Sequence, residues 1–356
     1  MAVASQPMLP IIYHPGYTIH FYGFEKLMTR FDTHKYSKIF TALSQRYDFT
    51  LDDVYQPPPL NTELLREVHT KDYLASLSSS ATVARIAEAP PLAWMPNFLL
   101  QRRILDPMRL ATSGTVLAVE IALRSGWAIN LSGGYHHAKA DRGEGFSFFA
   151  DIPLAIHEQL SNGSIEKVLI VDLDAHQGNG YTTIYTYKDF KEQESKEGLV
   201  YVDDERVHVF DVYNADIYPN DRFAQQFITY KYPVHSFVKD KEYLDLIRKY
   251  LPNALNTTRP SLVIYNAGTD IYEHDPLGNM NITAEGIIQR DEMVFAACKE
   301  RNIPIVMVLS GGYTMQSAGI IVDSINNLHD KGLIAFTKQN VSTSIRSSSI
   351  SGMEGK

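Results

Sequence analysis

Apolar runs of strand length recur along the chain, and each is followed by a longer stretch with helical spacing. These runs are Trp127–Leu131, Lys167–Leu173, Val207–Val212, Ser261–Asn266 and Ile303–Leu309. Alternating strands and helices build a parallel sheet with helices on both faces, and ligands bind beyond the carboxyl ends of its strands. We therefore expect an α/β fold in which the functional residues lie where the strands end.

The stretches between these runs predict long helices. They are Asn97–Arg124, Ile152–Leu160, Lys241–Asn256, Thr283–Arg301 and Met315–Lys331. The fourth begins with Thr283-Ala-Glu-Gly, and a threonine hydroxyl can accept a hydrogen bond from a free backbone N–H of the first turn. We expect Thr283 to cap that helix.

The length and composition of the chain suit one large domain. Of its 356 residues, 44% are hydrophobic and 21% are charged, which provides for a sizeable core. No Pro/Gly/Ser-rich linker interrupts the middle of the chain. We predict an N-terminal extension over residues 1–12, one globular domain over 13–336, and a Ser-rich disordered tail over 337–356.

Charge and cysteine content exclude several classes of protein. The net charge is −8 and no Lys/Arg run is longer than a pair, so we expect no direct binding to nucleic acid. A single cysteine, Cys298, cannot form an intramolecular disulfide, which favours a reducing compartment. The N-terminus lacks the features of a signal peptide and no apolar run approaches about 20 residues, so we expect neither secretion nor a membrane span.

The strongest chemical signal is the segment Val168-Leu-Ile-Val-Asp-Leu-Asp-Ala-His-Gln-Gly-Asn-Gly180, an apolar strand that ends in Asp172, Asp174 and His176. Alternate residues of an extended chain share a face, so these three side chains can converge. Carboxylate oxygen and imidazole nitrogen are good ligands for a zinc-like ion. The alternative is a set of strand-end caps and surface carboxylates.

A third ligand from another strand would complete such a site and leave a position open for water. Asp270 follows the apolar run Leu262–Asn266 and a glycine that lets backbone pass close to a site. Taken alone, its Gly-Thr-Asp context is equally that of an ordinary turn.

Two further strand ends carry a Ser-Gly-Gly-aromatic arrangement. The first presents the adjacent His136 and His137, whose imidazoles suit general acid/base work on water beside a metal. The second presents Tyr313, whose hydroxyl could donate a hydrogen bond to an oxyanion. Surface or additional metal-ligating histidines and a packing tyrosine remain the alternatives.

These blocks, in this order, resemble the zinc-dependent histone deacetylase superfamily, and the likeness covers roughly Tyr13 to Asp330. Within it, the strings AHQGNG, MPNFLLQRRILDP, DVYNADIYP and FYGFEKL resemble class IV. The resemblance implies a single α/β domain with a mainly parallel eight-stranded sheet of the arginase/deacetylase type. The domain over residues 13–336 would then be the deacetylase-like catalytic domain.

The resemblance also implies roles for the polar residues. Asp174, His176 and Asp270 correspond to the ligands of one zinc ion. The tandem histidines would be catalytic, with His137 as general base and acid and His136 tuning the field. Water would be activated by zinc and His137, and zinc and Tyr313 would share the oxyanion.

A structural potassium ion is implied beside the zinc strand. Asp172 would bind it, together with the backbone of Asp174 and His176, and its remaining ligands would lie near Val209–Asp211.

The acyl-lysine channel follows from the same resemblance. Phe146 and Tyr218 would form its walls and Leu277 its rim, while the Gly145 carbonyl would accept a hydrogen bond from the substrate amide.

Two departures from the commoner pattern concern this channel. Asn179 stands where class I enzymes usually have an aspartate that pairs with the second tandem histidine, and Ser147 stands where many members have cysteine. An amide orients the histidine but stabilises its imidazolium less than a carboxylate would, so the pKa of His137 should be lower.

The function predicted from these features is zinc-dependent hydrolysis of Nε-acyl-lysine amides in proteins such as histone tails, in the nucleus or cytoplasm and with corepressor proteins as partners. One alternative is a deacylase of the same fold for long fatty-acyl lysine or acylpolyamines. Another is a non-catalytic scaffold or corepressor subunit. A manganese ureohydrolase has similar architecture, but the sequence offers no second set of metal ligands.

Overall fold

A computed structural model describes residues 8–20, 32–185 and 205–336, and eight parallel strands in them form one sheet. The order of the strands is β2-β1-β3-β8-β7-β4-β5-β6. Their bounds are β1 Leu9–Ile12, β2 Val54–Tyr55, β3 Trp127–Asn130, β4 Val168–Asp172, β5 Val207–Asn214, β6 Tyr230–Val234, β7 Leu262–Asn266 and β8 Ile305–Val308. The predicted eight-stranded parallel sheet is confirmed.

The five strands expected from apolar runs are β3, β8, β7, β4 and β5, which are contiguous in the sheet. Strands covered on both faces read as continuous apolar runs, and the residues of β4 and β7 are all buried. The unpredicted strands β2, β1 and β6 lie toward the two edges. Strand β6 alternates in exposure and contains Pro233, while β2 has only 2 residues.

Helices cover both faces of the sheet. Their bounds are α1 Lys35–Tyr47, α2 Thr62–Arg66, α3 Lys71–Ser76, α4 Ser80–Ile86, α5 Asn97–Leu100, α6 Asp106–Ser125, α7 Asp151–Ser161, α8 Asn179–Tyr185, α9 Asp240–Thr258, α10 Ala284–Lys299 and α11 Ser317–Asp330. The long helix expected over Asn97–Arg124 consists of α5, a π-helical segment over Gln101–Leu105, and α6. Thr283 caps α10, because its hydroxyl accepts a hydrogen bond from Gly286 N at 3.0 Å.

The N-terminal boundary expected at residue 13 is too late. Strand β1 lies within the stretch predicted to be an extension, and it pairs with both β2 and β3. The domain therefore includes Leu9–Ile12. The tail over 337–356 and the string FYGFEKL at residues 21–27 lie outside the described residues.

Alternate residues of each central strand enter different halves of the core. Leu169 and Val171 of β4 pack with α1 and α9–α11, whereas Val168 and Ile170 pack with α6 and α7.

Cys298 is buried, and this burial raises the pKa of its thiol to about 12. Among the described helices, none has both the length and the apolar character that a membrane span requires.

Candidate metal and hydrolytic site

Three predicted metal ligands meet beyond the carboxyl ends of β4 and β7. Asp174, His176 and Asp270 are buried, and one ligand atom from each lies within 4.8 Å of the other two. His176 Nδ1 is 3.1 Å from Asp174 Oδ1 and 2.8 Å from Asp270 Oδ2. The arrangement brings two oxygen donors and one nitrogen donor to a single point.

Backbone passes unusually close to this group. A Cβ at Gly268 would lie 2.2 Å from Asp174 Oδ2, and one at Gly311 would lie 2.5 Å from Asp270 Oδ2. Any side chain at either position would displace a carboxylate. The two glycines therefore allow the carboxylates to converge.

The electrostatics of the group suit a divalent cation. Burial and the charge of Asp174 raise the pKa of Asp270 to about 7, because two carboxylates crowd one another away from water. A divalent cation would relieve this repulsion, and an Asp/His/Asp donor set is one that zinc accepts. The residues present therefore fit the metal that the sequence predicts.

The tandem histidines follow strand β3 and differ in their hydrogen-bonding partners. His136 Nδ1 is 2.8 Å from Asp172 Oδ2, and His137 Nδ1 is 2.8 Å from Asn179 Oδ1. Burial opposes a charge on His136, but Asp172 and Asp174 outweigh it and raise the pKa to about 9. Burial, together with the charges of His136 and His176, lowers the pKa of His137 well below its ordinary value.

Asp172 lies at the centre of a buried polar cluster. Its Oδ1 accepts hydrogen bonds from Asn266 Nδ2 at 3.0 Å and from Asp174 N at 3.1 Å. Its Oδ2 accepts from the hydroxyl of Tyr181 as well as facing His136. Asn266 and Tyr181 carry no motif that would have revealed this role in the sequence.

A second buried carboxylate stands opposite Asp172 on the neighbouring strand, where Asp211 is its register partner. Asp211 Oδ2 accepts a hydrogen bond from Gly178 N at 3.1 Å, whereas its Oδ1 has no hydrogen-bond partner among the described residues. Burial and the charge of Asp172 raise the pKa of Asp211 well above its ordinary value. A buried oxygen of this kind fits the potassium ligands expected near Val209–Asp211.

Tyr313 lines the same cavity as His137 and Asp174. Burial and the charges of Asp270 and Asp174 raise the pKa of its phenol well above 10, so the hydroxyl keeps its proton. Asp275 accepts a hydrogen bond from Tyr313 N at 2.8 Å and thereby holds the backbone of this loop. No pattern in the sequence singles out Asp275.

Lys35, on helix α1, is a buried cation beneath the same loop. Its Nζ donates hydrogen bonds to Ser310 O at 3.0 Å and to Gly311 O at 3.3 Å. Burial lowers the pKa of Lys35 to about 8, although the carboxylates of Asp270 and Asp174 oppose this shift. The residue was not predicted, because about 275 positions of chain separate it from the loop that it supports.

Two of the four predicted channel residues line the cavity. Gly145 and Phe146 line it, and the Phe146 ring lies 5.9 Å from that of Tyr313. Tyr218 is 44% exposed and its ring lies 5.1 Å from that of His137. Leu277 is half-buried on the Asp275 segment and is not among the residues that line the cavity.

Part of the same cavity is an apolar chamber. The empty volume of the whole cavity, including open space at its mouth, is about 920 Å³. Apolar and aromatic side chains line much of it, including Tyr17, Ile19, Tyr36, Leu92, Ile104 and Met108. Ser147 also borders the cavity.

Comparison with known proteins agrees with this geometry. The histone deacetylase domain family matches residues 29–328. Histone deacetylase 2 of Arabidopsis thaliana is 45% identical over 324 residues, which are 91% of this chain and 79% of that protein. Human histone deacetylase 1 is 27% identical over 278 residues, which are 74% of this chain but only 53% of that longer protein.

A solved structure supports the same fold. The crystal structure of the HDA15 HD domain matches with a TM-score of 0.68 and 19% sequence identity, covering 91% of this chain and 88% of that one. At this identity the likeness concerns the fold. Taken with the matches in sequence, it shows that the chain belongs to the histone deacetylase family of hydrolases.

Proposed function

We propose that the protein is a zinc-dependent enzyme that hydrolyses the amide of Nε-acyl-lysine in proteins. The observation that carries the proposal is that His137, Asp174 and Tyr313 line one cavity, with Asp174 in contact with His176. Zinc held by Asp174, His176 and Asp270 would supply Lewis-acid polarisation of the amide carbonyl and would acidify water.

His137 is the proposed general base. Its Nδ1 is engaged by Asn179 Oδ1, so Nε2 is the nitrogen left to take a proton. The lowered pKa keeps the ring neutral at pH 7, as a base must be. After taking the proton from water, the imidazolium would return it to the departing lysine amine.

Tyr313 is the proposed oxyanion donor. Its raised pKa keeps the phenol protonated, so the hydroxyl can donate a hydrogen bond as the carbonyl oxygen gains charge. Asp275 fixes the backbone from which this side chain projects.

His136 has a different proposed role. With a pKa of about 9, it is an imidazolium at neutral pH, balanced by Asp172. A fixed positive charge beside the reacting water would tune the field and hold that water without exchanging protons.

We propose a potassium ion beside the zinc strand as a structural element. Asp172 and the backbone of Asp174 and His176 would bind it. The buried Oδ1 of Asp211, which lacks a hydrogen-bond partner among the described residues, supports a cation there.

Placement within class IV rests on the strings quoted above and on Asn179. Histone tails are the proposed substrates, since the chain belongs to the histone deacetylase family. Corepressor proteins are proposed partners, and the nucleus or the cytoplasm is the proposed location.

A second candidate function concerns the acyl group. The apolar chamber formed by Tyr17, Ile104, Met108 and their neighbours favours a long fatty-acyl chain on lysine or on a polyamine. Burying each additional CH₂ contributes about 0.8 kcal/mol, so a chamber of this kind would select strongly for chain length.

A panel of lysine peptides with acetyl to myristoyl groups tests both candidates. We expect hydrolysis that a hydroxamate zinc chelator abolishes, and the preferred acyl chain will distinguish the two candidates. In Tyr313→Phe, kcat should fall by about 10² or more because an oxyanion donor is lost. If neither an acyl-lysine peptide nor an acylpolyamine is cleaved with zinc present, both candidates are wrong.

A further inference from the structure

Asn179 has a second set of contacts on the side that faces away from His137. Its Nδ2 donates hydrogen bonds to Glu144 Oε1 at 3.0 Å and to Asp221 Oδ2 at 3.3 Å. The same two oxygens each lie 2.9 Å from Nζ of Lys139. The amide and the ammonium thus share two carboxylates in one compact network.

This network is built into the fold. Lys139 and Asn179 are 5% and 1% exposed, so their polar groups depend on these partners. Gln177 holds the segment that carries Asp221, since its Oε1 accepts from Asp221 N and its Nε2 donates to Asp221 O, both at 3.1 Å. Gln177 and Asn179 of the AHQGNG string therefore both engage Asp221.

The contacts decide which way the Asn179 amide points. Carboxylates accept hydrogen bonds and cannot donate them, so the NH₂ end must face Glu144 and Asp221. The carbonyl end then faces His137 and can only accept, which requires the proton of a neutral His137 to be on Nδ1. An aspartate at position 179 would need no such support, because either of its oxygens accepts.

We propose that Glu144 and Asp221, held together by Lys139, are positioning residues that orient the Asn179 amide and thereby hold His137 as the Nδ1–H tautomer. The catalytic consequence rests on the proposed function, in which His137 Nε2 takes a proton from water. The orientation of the amide and the tautomer are properties of the chain itself.

The tautomer can be measured without any substrate. Two-bond ¹H–¹⁵N correlation spectra of full-length protein with labelled histidine, assigned with His137→Gln, distinguish a protonated Nδ1 from a protonated Nε2. Wild-type protein should show His137 protonated on Nδ1. A wild-type His137 protonated on Nε2 would overturn the proposal, whatever the activity.

Glu144→Gln/Asp221→Asn tests the cause. The new amides can donate as well as accept, so Asn179 loses its preferred orientation and a fraction of His137 should move its proton to Nε2. We expect kcat to fall by about tenfold, with KM within about twofold. Asp141→Asn, which changes an exposed carboxylate that pairs with Arg142, is the matched control and should leave both the spectrum and kcat unchanged.

Adding Asn179→Asp to the double variant separates positioning from general damage to the structure. A carboxylate has no wrong orientation, and the amides at 144 and 221 can donate to it. The triple variant should therefore restore the Nδ1–H form and recover kcat to within about threefold of wild type. A double variant that keeps the wild-type tautomer, or a triple variant that recovers nothing, would contradict the proposal.

The two proposals can fail independently. If wild-type protein cleaves no acyl-lysine peptide, the proposed function fails, while the spectra still decide the tautomer. If the double variant does not fold, the single variants Glu144→Gln and Asp221→Asn are compared in the same way. The wild-type spectrum by itself is sufficient to overturn the inference.

Discussion

His136 and His137 are adjacent in the chain, yet the two imidazoles have opposite surroundings. His136 faces a carboxylate directly, at 2.8 Å from Asp172, and its pKa is raised to about 9. His137 faces the amide of Asn179 at the same distance, and its pKa is lowered well below the ordinary value. For His136 the charges of Asp172 and Asp174 outweigh burial, whereas the Asn179 amide does not outweigh burial and the charges of His136 and His176 at His137. One histidine is therefore a cation and the other a neutral base.

The two supports also come from different parts of the fold. Asp172 is the last residue of β4 and is fixed by the sheet. The support of His137 consists of residues outside the strands, among them Asn179, Glu144 and Asp221, and the His137 ring lies 5.1 Å from that of Tyr218. His136 is thus held by the sheet, whereas His137 depends on segments that can vary without changing the sheet.

Removing each ring in turn gives the largest expected effects. His137→Ala should lower kcat/KM by about 10³, because it deletes the proposed general base and acid. His136→Ala should lower kcat/KM less, by about 10-fold to 100-fold. This change removes a stabilising charge, but it does not remove the residue that carries the proton. Steady-state kinetics on one acyl-lysine peptide would check this ranking, and a larger loss in His136→Ala would reverse the assigned roles.

Asp172→Asn weakens the contact between residue 172 and His136. The change removes the charge that balances the buried His136 imidazolium, so we expect the free energy of unfolding to fall by about 3 kcal/mol. Urea denaturation followed by fluorescence would measure this. Asp141→Asn, at an exposed carboxylate, should change stability by less than about 0.5 kcal/mol, and equal effects of the two substitutions would argue against a buried ion pair.

His69 provides a buried histidine with no carboxylate partner among the described residues. Its Nε2 accepts a hydrogen bond from Ala150 N at 3.0 Å, and burial lowers its pKa to about 4. The unfolded chain binds a proton near pH 6.5 while the folded one does not, so stability should fall as the pH drops from 6.5 toward 4. The loss by pH 5 should be about 2 kcal/mol.

His69→Gln is the matched variant, because its amide oxygen can accept the same hydrogen bond without titrating. Its stability, measured by urea denaturation at pH 7 and pH 5, should fall less with acid than that of wild type. If stability depends on pH in His69→Gln as it does in wild type, then groups other than His69 cause the pH dependence.

Asn179→Asp, made together with Glu144→Gln and Asp221→Asn so that amides and not carboxylates face the new carboxylate, gives His137 the kind of partner that His136 has. A carboxylate beside Nδ1 favours imidazolium, so the acid limb of kcat/KM should move to higher pH. In wild type the limb should lie below pH 6.5, because the pKa of His137 is lowered and activity is lost only as the pH falls through that value. A limb that stays in place would mean that His137 is not the titrating base.

The sequence predicted those parts of the molecule that depend on local pattern. Five strands appeared as apolar runs because both of their faces are covered, and Asp174 and His176 followed directly from the end of β4. Strand β6 was missed because two of its five residues are exposed and it does not form an apolar run. Asp270 had to be chosen between a ligand and a turn, and the resemblance to the deacetylases decided it.

The rest of the site depends on contacts between distant segments. Lys139 and Asp221 are 82 positions apart, and Asn179 and Asp221 are 42 apart, so no local pattern connects them. The departure at Asn179 was visible in the sequence, but the carboxylates that orient its amide were not. Asp275 and Lys35 likewise acquire their roles only when the Tyr313 loop is folded against them.

We propose that zinc in the Asp174/His176/Asp270 site makes this chain an acyl-lysine hydrolase. Metal-free protein titrated with zinc, while release of lysine amine from an acyl-lysine peptide is followed, tests it most directly. The account predicts that activity rises to a plateau at one zinc per chain and that Asp174→Ala shows none. Hydrolysis that does not depend on zinc, or that persists in Asp174→Ala, would contradict it.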